Sequence, residues 1–569
     1  MCPTLRSSNI HGVKRFLLAA LAISTSALLW HLGTGLRPLP GLAILAPLPV
    51  LLLVPRVSAA AAFLAGALSW LGVVAQLWPY FLGTLEQPAP VTVLLLGGTT
   101  VLFGGVVVLT RALLLRGRAG FAVLALPAGW AAVEFLLAVA GPFGAWWSVA
   151  YSQADLLPLI QTASLTGIWG ITFLMLLPAA AVAVLYAPEI TRAQRLRTTA
   201  AVSAGVVALV AFGCWRLAAT PETDTVAVGL VAVAQPPEYV PVDSADGRAM
   251  VSRVVREIEQ LAERGAEVVV LPEKAWRADD ATLALLAEPL TEVSRRRDVH
   301  VVAGLILTTG GTSYNAAIEF PSGVRYAKHF LIPGLEDEHR PGTQWQQVPG
   351  RPWALAICYD LDHPDLVRAN QRRGARLLLV PALDFTDDYW LHSRMAVLRG
   401  VESGLGVARA PQLGEAVASD SRGRVLASAH RYRRHADRVR TDTADRSGHG
   451  VRAVRELVRL GLRGGVRRRC RRGGRRAQSR WVAHRFAGLM RTAQPCAHRP
   501  LSFCDHSHSG PLRRRSHPLR TESARGTACL RWLKPGYRSI SCPVSGRQDP
   551  RRLEARSTSV RGLERICSD

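Results

Sequence analysis

Lysine is scarce in this chain of 569 residues, which has only four: Lys14, Lys274, Lys328 and Lys534. Cysteine is also scarce before residue 430, where only Cys2, Cys214 and Cys358 occur. Such spacing excludes a disulfide framework or a metal-ligand pattern from the first 429 residues. Net charge is almost absent there as well, since 34 basic residues oppose 32 acidic ones. The formal charge of +27 therefore does not mark the whole chain as a nucleic-acid-binding protein.

The basic excess belongs to a tail, residues 430–569, which has 35 basic and 10 acidic residues. Hydrophobic periodicity fades in this tail, and its six cysteines form no recognisable metal pattern. The composition predicts disorder, because few apolar residues could offset the entropy of ordering. An arginine-rich, lysine-poor chain also indicates a GC-rich gene, so we hypothesise a shift of reading frame near residues 427–434. Translation of the DNA around codon 430 in all three frames tests this hypothesis.

Charged residues are nearly absent from seven apolar runs in residues 1–220, which predicts a membrane domain. The runs cover residues 16–33, 41–54, 58–80, 91–110, 120–140, 164–186 and 200–218. Most of them reach the roughly 20 residues that a bilayer core requires, and the second is short. Ten basic residues precede the first run or lie in one set of alternate loops, whereas the other set has only Arg37. This bias predicts a cytoplasmic amino terminus and places everything after the seventh run on the outer face.

From residue 224 the pattern changes to short β-type runs separated by amphipathic stretches, which predicts an α/β domain over residues 224–429. The sequences TVAVGLVAVAQ, EVVVLPE, VHVVAGLIL, PWALAIC and RLLLVPA are typical of strands. SYNAAIEF and VRYAKHFL indicate a hairpin that turns at PSG. This order, with antiparallel additions, favours a layered sandwich over a simple doubly wound sheet.

Three residues of complementary chemistry lie at or near the ends of predicted strands. Glu273 ends VVVLPE, Lys328 lies in YAKHFLIPGLE, and Cys358 ends WALAIC. Acyl transfer through a thioester needs a thiolate, a base and positive charge where the oxyanion forms. A lysine kept in so arginine-biased a chain indicates a need for a compact ammonium group. Taken singly, each residue has an ordinary alternative, namely core packing for Cys358, a pair with Arg277 for Glu273 and surface exposure for Lys328.

The order Glu273, Lys328, Cys358, within LPE, YAKHFLIPGLE and ICYD, resembles the Glu-Lys-Cys triad of the nitrilase superfamily. Combined with the apolar runs that precede it, the pattern resembles the bacterial apolipoprotein N-acyltransferase family over about residues 10–429. The resemblance implies an αββα sandwich of the nitrilase type, extracytoplasmic and joined to a multi-pass domain in the bacterial inner membrane.

The same resemblance implies a role for each site residue. Cys358 would take an acyl chain from a membrane phospholipid as a thioester and pass it to the amino group of a diacylated apolipoprotein. Glu273 would act as general base and acid, and Lys328 would stabilise the oxyanion. Glu336 matches an additional acidic residue in the loop after the lysine, and Tyr359 matches the aromatic residue beside the nucleophile. The expectation includes no cofactor, no metal and no nucleic-acid partner.

The chain departs from the family pattern at three places. Asp360 stands where the family usually has glutamate, and PALDFTDDYW replaces an Asn-Asp-Ala-Trp-like segment. We interpret Asp384, Asp387 and Asp388 in that stretch as a solvated loop. No apolar run of about 20 residues follows residue 430, although the family normally ends with one more span. Two alternatives stay open: a membrane-tethered amidase whose thioester is released by water, and a degenerate inactive homologue whose basic tail binds anionic lipids.

Overall fold

Long apolar helices make up the first half of the region that a computed structural model describes, which comprises residues 4–219, 224–232, 239–430 and 456–462. The helices of residues 4–219 are α1 (Thr4–Gly33), α2 (Leu42–Leu45), α3 (Leu48–Leu53), α4 (Ala59–Pro79), α5 (Ala89–Leu115), α6 (Ala119–Ala140), α7 (Leu157–Ile160), α8 (Ala163–Thr166), α9 (Ile168–Tyr186) and α10 (Arg192–Ala218). Among the described residues, six helices are long and apolar enough to cross a membrane: α1, α4 with its π-helical extension Tyr80–Thr84, α5, α6, α9 and α10.

The second predicted span, residues 41–54, is a short broken segment in the structure. It consists of α2, α3 and a 3-10 turn at Val54–Arg56, with prolines at 47, 49 and 55 that lack an amide donor. The segment still connects the two ends of the helix bundle. At one end the Gly41 amide donates to Gln153 Oε1, and at the other Val57 O accepts from Arg111 Nη2. The structure therefore has six long helices and one shorter connection where the sequence predicts seven spans.

Aromatic side chains fill the interior of the bundle. Trp70 packs against Trp130, Phe103 and Trp30, with ring centroids 4.3, 4.6 and 5.1 Å away, and all four side chains are buried. These residues belong to α1, α4, α5 and α6, so one cluster ties four helices together. Leucines and valines on the opposite faces are exposed, as expected for surfaces in contact with lipid.

Glu134 in α6 has its carboxylate fully engaged inside the bundle. Its oxygens accept from Ser148 Oγ at 2.9 Å, Thr172 Oγ1 at 2.7 Å and the Val149 amide at 2.8 Å. A carboxylate at this depth must be hydrogen-bonded, because lipid offers it no solvation. These bonds fix the loop between α6 and α9, so the structure supports a structural role for Glu134.

Two β-sheets form the second half of the described region. The strands are β1 (Asp224–Leu230), β2 (Val240–Pro241), β3 (Val268–Val270), β4 (Trp276–Asp279), β5 (His300–Thr309), β6 (Thr312–Phe320), β7 (Arg325–Ala327), β8 (Trp353–Leu355), β9 (Leu377–Ala382), β10 (Gly406–Pro411), β11 (Glu415–Ser419), β12 (Val425–His430) and β13 (Glu456–Leu462). The first sheet has the order β13-β1-β3-β5-β4-β2, with β6 on β5 and β7 on β6. The second sheet has the order β12-β11-β10-β9-β8.

The two sheets pack face to face between two pairs of helices. The helices are α11 (Ala245–Glu263) and α12 (Ala284–Arg297) on the first sheet, and α13 (Pro364–Arg372) and α14 (Tyr389–Ser403) on the second. Strand β9 illustrates the layering, because Leu377 and Leu379 face the first sheet while Leu378 and Val380 face the helices. Both faces are buried, which explains the unbroken apolar run. The predicted αββα sandwich and the hairpin of β6 and β7 are confirmed.

Strand β13 lies within the basic tail. It pairs antiparallel with β1, from Asp224 opposite Leu462 to Leu230 opposite Glu456. The sequence does not predict this strand. The prediction of disorder for the remainder of residues 431–569 lies outside the described residues.

Candidate active site

Glu273, Lys328 and Cys358 each follow the end of a strand in the sandwich. Glu273 comes three residues after β3, Lys328 directly after β7, and Cys358 three residues after β8. Their side chains are buried, with exposed fractions of 2%, 1% and 7%. Strands of both sheets thus carry the three residues to one region of the fold.

A buried cluster of charged side chains joins two of these three residues. Lys328 Nζ donates to Glu273 Oε1 at 2.9 Å and to Glu336 Oε2 at 2.8 Å. Lys274 Nζ forms an ion pair with Glu336 Oε1 at 2.6 Å. Asn315 Nδ2 donates to both carboxylates, at 2.6 and 2.7 Å. Two ammonium groups therefore balance two carboxylates, which is the condition for keeping charge buried.

The cluster keeps Lys328 protonated. Burial lowers the pKa of the ammonium group. The negative charges of Glu273 and Glu336 have the larger effect, and they raise this pKa well above its usual range. For Glu336 the signs are reversed. Burial raises the pKa of this carboxyl, but the ammonium groups of Lys328 and Lys274 have the larger effect and lower the pKa below its usual value. A fixed positive charge is thus available to stabilise a developing oxyanion.

Cys358 occupies a strained position. Its φ of 39° lies in the left-handed region, which costs a residue with a side chain about 1–3 kcal/mol. The thiol Sγ donates to Leu383 O at 3.5 Å. Burial raises the pKa of the thiol, the carboxylate of Glu273 raises it further, and the charges of Lys328 and Arg409 oppose this only in part. The resting group is therefore a thiol, and it needs a base to become a nucleophile.

Asp360 connects the segment that follows Lys328 to the turn that contains Cys358. Its carboxylate accepts from the amides of His329, Phe330 and Ile357 and from Tyr326 Oη, at distances of 2.7 to 3.1 Å. Burial raises the pKa of this carboxyl to about 6, although the amide bonds lower it. The shorter aspartate thus has a full set of donors at this position, where the family pattern has glutamate.

The turn after Cys358 contacts the helix bundle. Tyr359 Oη donates to Pro142 O at 2.7 Å, in the loop after α6. Beside the thiol lies a cavity of about 40 Å³ with almost wholly apolar walls. It is lined by Tyr80, Phe81, Leu85, Phe143, Trp146, Ile332, Cys358, Tyr359, Asp362, Leu383, Phe385 and His392. Side chains of the bundle and of the sandwich therefore surround the thiol together.

The interpretation of the aspartates after β9 as a solvated loop is wrong for Asp384 and Asp388, which are buried. Asp384 Oδ2 accepts from Arg409 Nη1 at 2.7 Å. Burial raises the pKa of Asp384, but Arg409 and His392 outweigh it and bring the pKa to about 2. A charged partner in β10 thus makes burial of this carboxylate possible, and the local sequence does not reveal it.

Asp387 and Asp388 instead attach this loop to the bundle. Asp388 Oδ2 accepts from Tyr80 Oη, and Asp387 Oδ2 accepts from Thr84 Oγ1 at 2.9 Å. Both donors belong to the π-helical extension of α4. The loop therefore fixes one wall of the cavity beside the thiol.

Sequence reasoning missed four residues of this region: Lys274, Asn315, Arg409 and Tyr80. The scarcity of lysine could have identified Lys274, which is one of four lysines and adjoins Glu273. The other three had no distinguishing signal, because their partners come from distant elements. Among the described residues no group of three or more His, Cys, Asp or Glu side chains could hold a metal ion.

Comparisons with known proteins match both halves of the described region. The apolipoprotein N-acyltransferase N-terminal domain matches residues 26–181, and the carbon-nitrogen hydrolase family matches residues 230–445. The apolipoprotein N-acyltransferase of Bordetella bronchiseptica is 27% identical over 355 residues, which is 52% of this chain and 64% of that protein. The apolipoprotein N-acyltransferase of Bradyrhizobium diazoefficiens is 28% identical over 369 residues, which is 54% of this chain and 65% of that protein. The chain thus spans a little under two thirds of the length of these relatives.

A solved amidase of the nitrilase superfamily from Nesterenkonia aligns with 42% of this chain and 92% of its own length, at 19% identity and a TM-score of 0.33. The sandwich and the buried Glu-Lys pair beside a cysteine define a nitrilase-superfamily protein with an attached bundle of membrane-type helices. Within this superfamily, the match of residues 26–181 to the apolipoprotein N-acyltransferase N-terminal domain indicates one family. The chain belongs to the apolipoprotein N-acyltransferase family and is a multi-pass bacterial membrane protein.

Proposed function

We propose that this protein transfers an acyl chain from a membrane phospholipid, through a thioester on Cys358, to the amino-terminal amine of a diacylated apolipoprotein. The main support is the buried contact of 2.9 Å between Lys328 and Glu273 beside a thiol that lines an apolar cavity. Relatives that carry this activity in their names, and the matched N-terminal domain, agree with it.

In the first step Glu273 takes the proton of the Cys358 thiol, and the sulfur attacks the ester carbonyl of the phospholipid. The ammonium group of Lys328 stabilises the tetrahedral oxyanion. Collapse of this intermediate breaks the ester C–O bond, and Glu273 returns its proton to the departing alkoxide. The products are a lysophospholipid and an acyl thioester on Cys358.

In the second step the neutral amine of the apolipoprotein attacks the thioester carbonyl. Glu273 takes a proton from the amine, Lys328 again stabilises the oxyanion, and the C–S bond breaks. The thiolate then regains its proton from Glu273, and the product is an amide. Glu336 holds Lys328 and Lys274 in place, Tyr359 anchors the nucleophile turn to the bundle, and Asp360 sets its position relative to Lys328.

We also propose that the sandwich faces the outside of the cell membrane and the amino terminus the cytoplasm. The bias of basic loop residues supports this orientation. Both substrates are then anchored in the outer leaflet, beside the cavity at Cys358.

The test uses the full chain in mixed micelles with a phospholipid carrying a radiolabelled acyl chain. We expect a hydroxylamine-sensitive adduct on the peptide containing Cys358, and discharge of the label to a diacylated lipopeptide with a free amine. Cys358→Ser should abolish transfer, and Cys214→Ser, which changes an exposed cysteine in α10, should not.

Two outcomes contradict the proposal. Release of labelled fatty acid at one rate with and without lipopeptide would identify water as the acceptor, as in an amidase-type enzyme. Absence of any adduct under these conditions would identify an inactive homologue.

A further inference from the structure

A second, larger cavity lies among the membrane-type helices. Its volume is about 650 Å³, which is within the range of roughly 300–1,000 Å³ for ligand pockets. The lining consists of Arg15, Leu18 and Ala22 of α1, Pro49, Leu52, Leu53, Arg56 and Val57 of the broken segment, and Tyr186 of α9. Its walls are mainly aliphatic, with two guanidinium groups and one phenol.

This cavity is remote from Cys358. Helix α9 begins beside α14 of the sandwich, since a Cβ added at Gly167 would lie 2.7 Å from Glu402 Oε1. Its 19 residues rise about 28 Å, so Tyr186 lies at the opposite end of the bundle. The orientation proposed above would place the cavity in the cytoplasmic leaflet. Binding of a ligand in this cavity requires neither that orientation nor the proposed activity.

The two guanidinium groups have no carboxylate partner among the described residues. The ion pairs there include neither Arg15 nor Arg56, and Arg56 donates only to the backbone oxygen of Leu52. The first acidic residue in the sequence is Glu86. Glu189, three residues after Tyr186, is exposed and forms no ion pair in the described region. Within the part of the chain that the structure describes, two positive charges at the edge of an apolar cavity thus have no acidic partner.

The chemistry of the lining fits one class of ligand. Exposed Arg15 and Arg56 would bind a phosphodiester, and the aliphatic walls with exposed Leu18 would contact acyl chains. The phenol of Tyr186 suits the boundary between the headgroup and the chain. We propose that this cavity binds an anionic phospholipid, as a second lipid site separate from the one at Cys358.

The test uses the full chain in phosphatidylcholine nanodiscs that contain a trace of photoreactive phosphatidylglycerol or, in a parallel arm, photoreactive phosphatidylcholine. We expect the anionic probe to label peptides of α1, the broken segment and the end of α9, and the zwitterionic probe to label them far less. Arg15→Gln combined with Arg56→Gln should lower labelling by the anionic probe roughly ten- to thirty-fold, since each basic group contributes to binding of anionic lipid.

Two further variants make this result specific. Arg116→Gln removes an arginine at the same end of the bundle but outside the cavity, and it should leave the labelling unchanged. Arg15→Lys combined with Arg56→Lys keeps both charges, and it should retain most of the labelling and show that substitution there permits folding. An excess of inorganic phosphate should not compete, because it lacks acyl chains.

Each of the following results would overturn the proposal: equal labelling by both probes, unchanged labelling in the double glutamine variant, or equal losses in the double glutamine and Arg116→Gln variants. Competition by inorganic phosphate alone would also overturn it, since the site would then bind a free anion.

Discussion

Glu273 raises the pKa of both of the other proposed catalytic residues, which favours the charged form of Lys328 and the neutral form of Cys358. Its carboxylate accepts a hydrogen bond from Lys328 at 2.9 Å and contributes to the raised pKa of that ammonium group. The same negative charge raises the pKa of the Cys358 thiol. One carboxylate thus favours both the charged form of Lys328, the proposed oxyanion stabiliser, and the protonated form of Cys358, the proposed nucleophile.

Replacement of Lys328 by glutamine removes the ammonium group that two carboxylates share. We expect the rate of thioester formation to fall by about 10²–10³, the usual effect of removing one oxyanion-stabilising group. Mass spectrometry of the peptide containing Cys358 measures this rate. Lys274→Gln is the matched control, because Lys274 pairs with Glu336 and is partly exposed, so its loss should be smaller. Equal losses in the two variants would contradict a special role for Lys328.

Replacement of Glu273 by glutamine should separate thiol reactivity from acyl transfer. The neutral amide no longer raises the pKa of Cys358, while Lys328 and Arg409 still lower it. Alkylation of Cys358 by iodoacetamide should therefore begin at lower pH than in the unmodified protein, because the thiolate is the reactive form. Transfer should be lost because the base is missing. Peptide mass spectrometry across a pH series gives the alkylation profile.

Glu259→Gln is the control for this experiment, since Glu259 pairs with Arg296 on the surface of the sandwich. Its alkylation profile should match that of the unmodified protein. A profile for Glu273→Gln that moves to higher pH would show that the carboxylate does not act on the thiol in this way.

At the scale of elements, Asp360 connects the turn Cys358–Asp362 to the segment after Lys328 through hydrogen bonds from backbone amides. Asp360→Ala leaves one buried amide, two partly buried amides and one buried phenol without an acceptor, so we expect a loss of about 3 kcal/mol or more in the free energy of unfolding. Asp360→Asn keeps one of the two acceptor oxygens and should lose less. Guanidinium unfolding in detergent, followed by tryptophan fluorescence, compares the variants. Equal stability of Asp360→Ala and the unmodified protein would contradict this account.

Some elements could be predicted from the sequence because their pattern is local. The unbroken apolar run in RLLLVPA is typical of a buried strand, and the residues PSG between two β-type runs are typical of a hairpin turn. The three candidate catalytic residues were predicted from their chemistry, their places at or near strand ends and the resemblance to the Glu-Lys-Cys triad. Pro47, Pro49 and Pro55 indicate the break in the second predicted span, because proline lacks the amide donor that a continuous helix needs.

Other features depend on partners that are distant in the sequence. Burial of Asp384 requires Arg409, 25 residues later, and no local pattern connects the two. Asn315 lies in the middle of an apolar strand and becomes part of the site only when β6 is placed beside Glu273. Sequence pattern therefore predicted the candidate reacting groups, and only tertiary structure could identify the residues that contact them.

At the scale of the whole molecule, the loop before α2 lies on the same side as the sandwich. The guanidinium group of Arg37 lies 4.4 Å from the ring centroid of Tyr389, at the start of α14. With the proposed orientation, Arg37→Cys should react with a membrane-impermeant maleimide added to intact cells. Arg116→Cys should react only after permeabilisation, because it follows α5 at the other end. Peptide mapping identifies the labelled cysteine. If Arg116→Cys reacted in intact cells and Arg37→Cys only after permeabilisation, the orientation would be opposite to the proposed one.

The cavity of about 40 Å³ beside Cys358 has room for roughly three water molecules, far less than a fatty acyl chain needs. Rings such as those of Trp146 and Phe385 must therefore rotate before any ester carbonyl can approach the sulfur. We expect the first half-reaction to include a side-chain rearrangement that the incoming hydrocarbon itself stabilises. With the rings placed as the structure shows them, Cys358 is 7% exposed, so bulk solvent has little access to the sulfur.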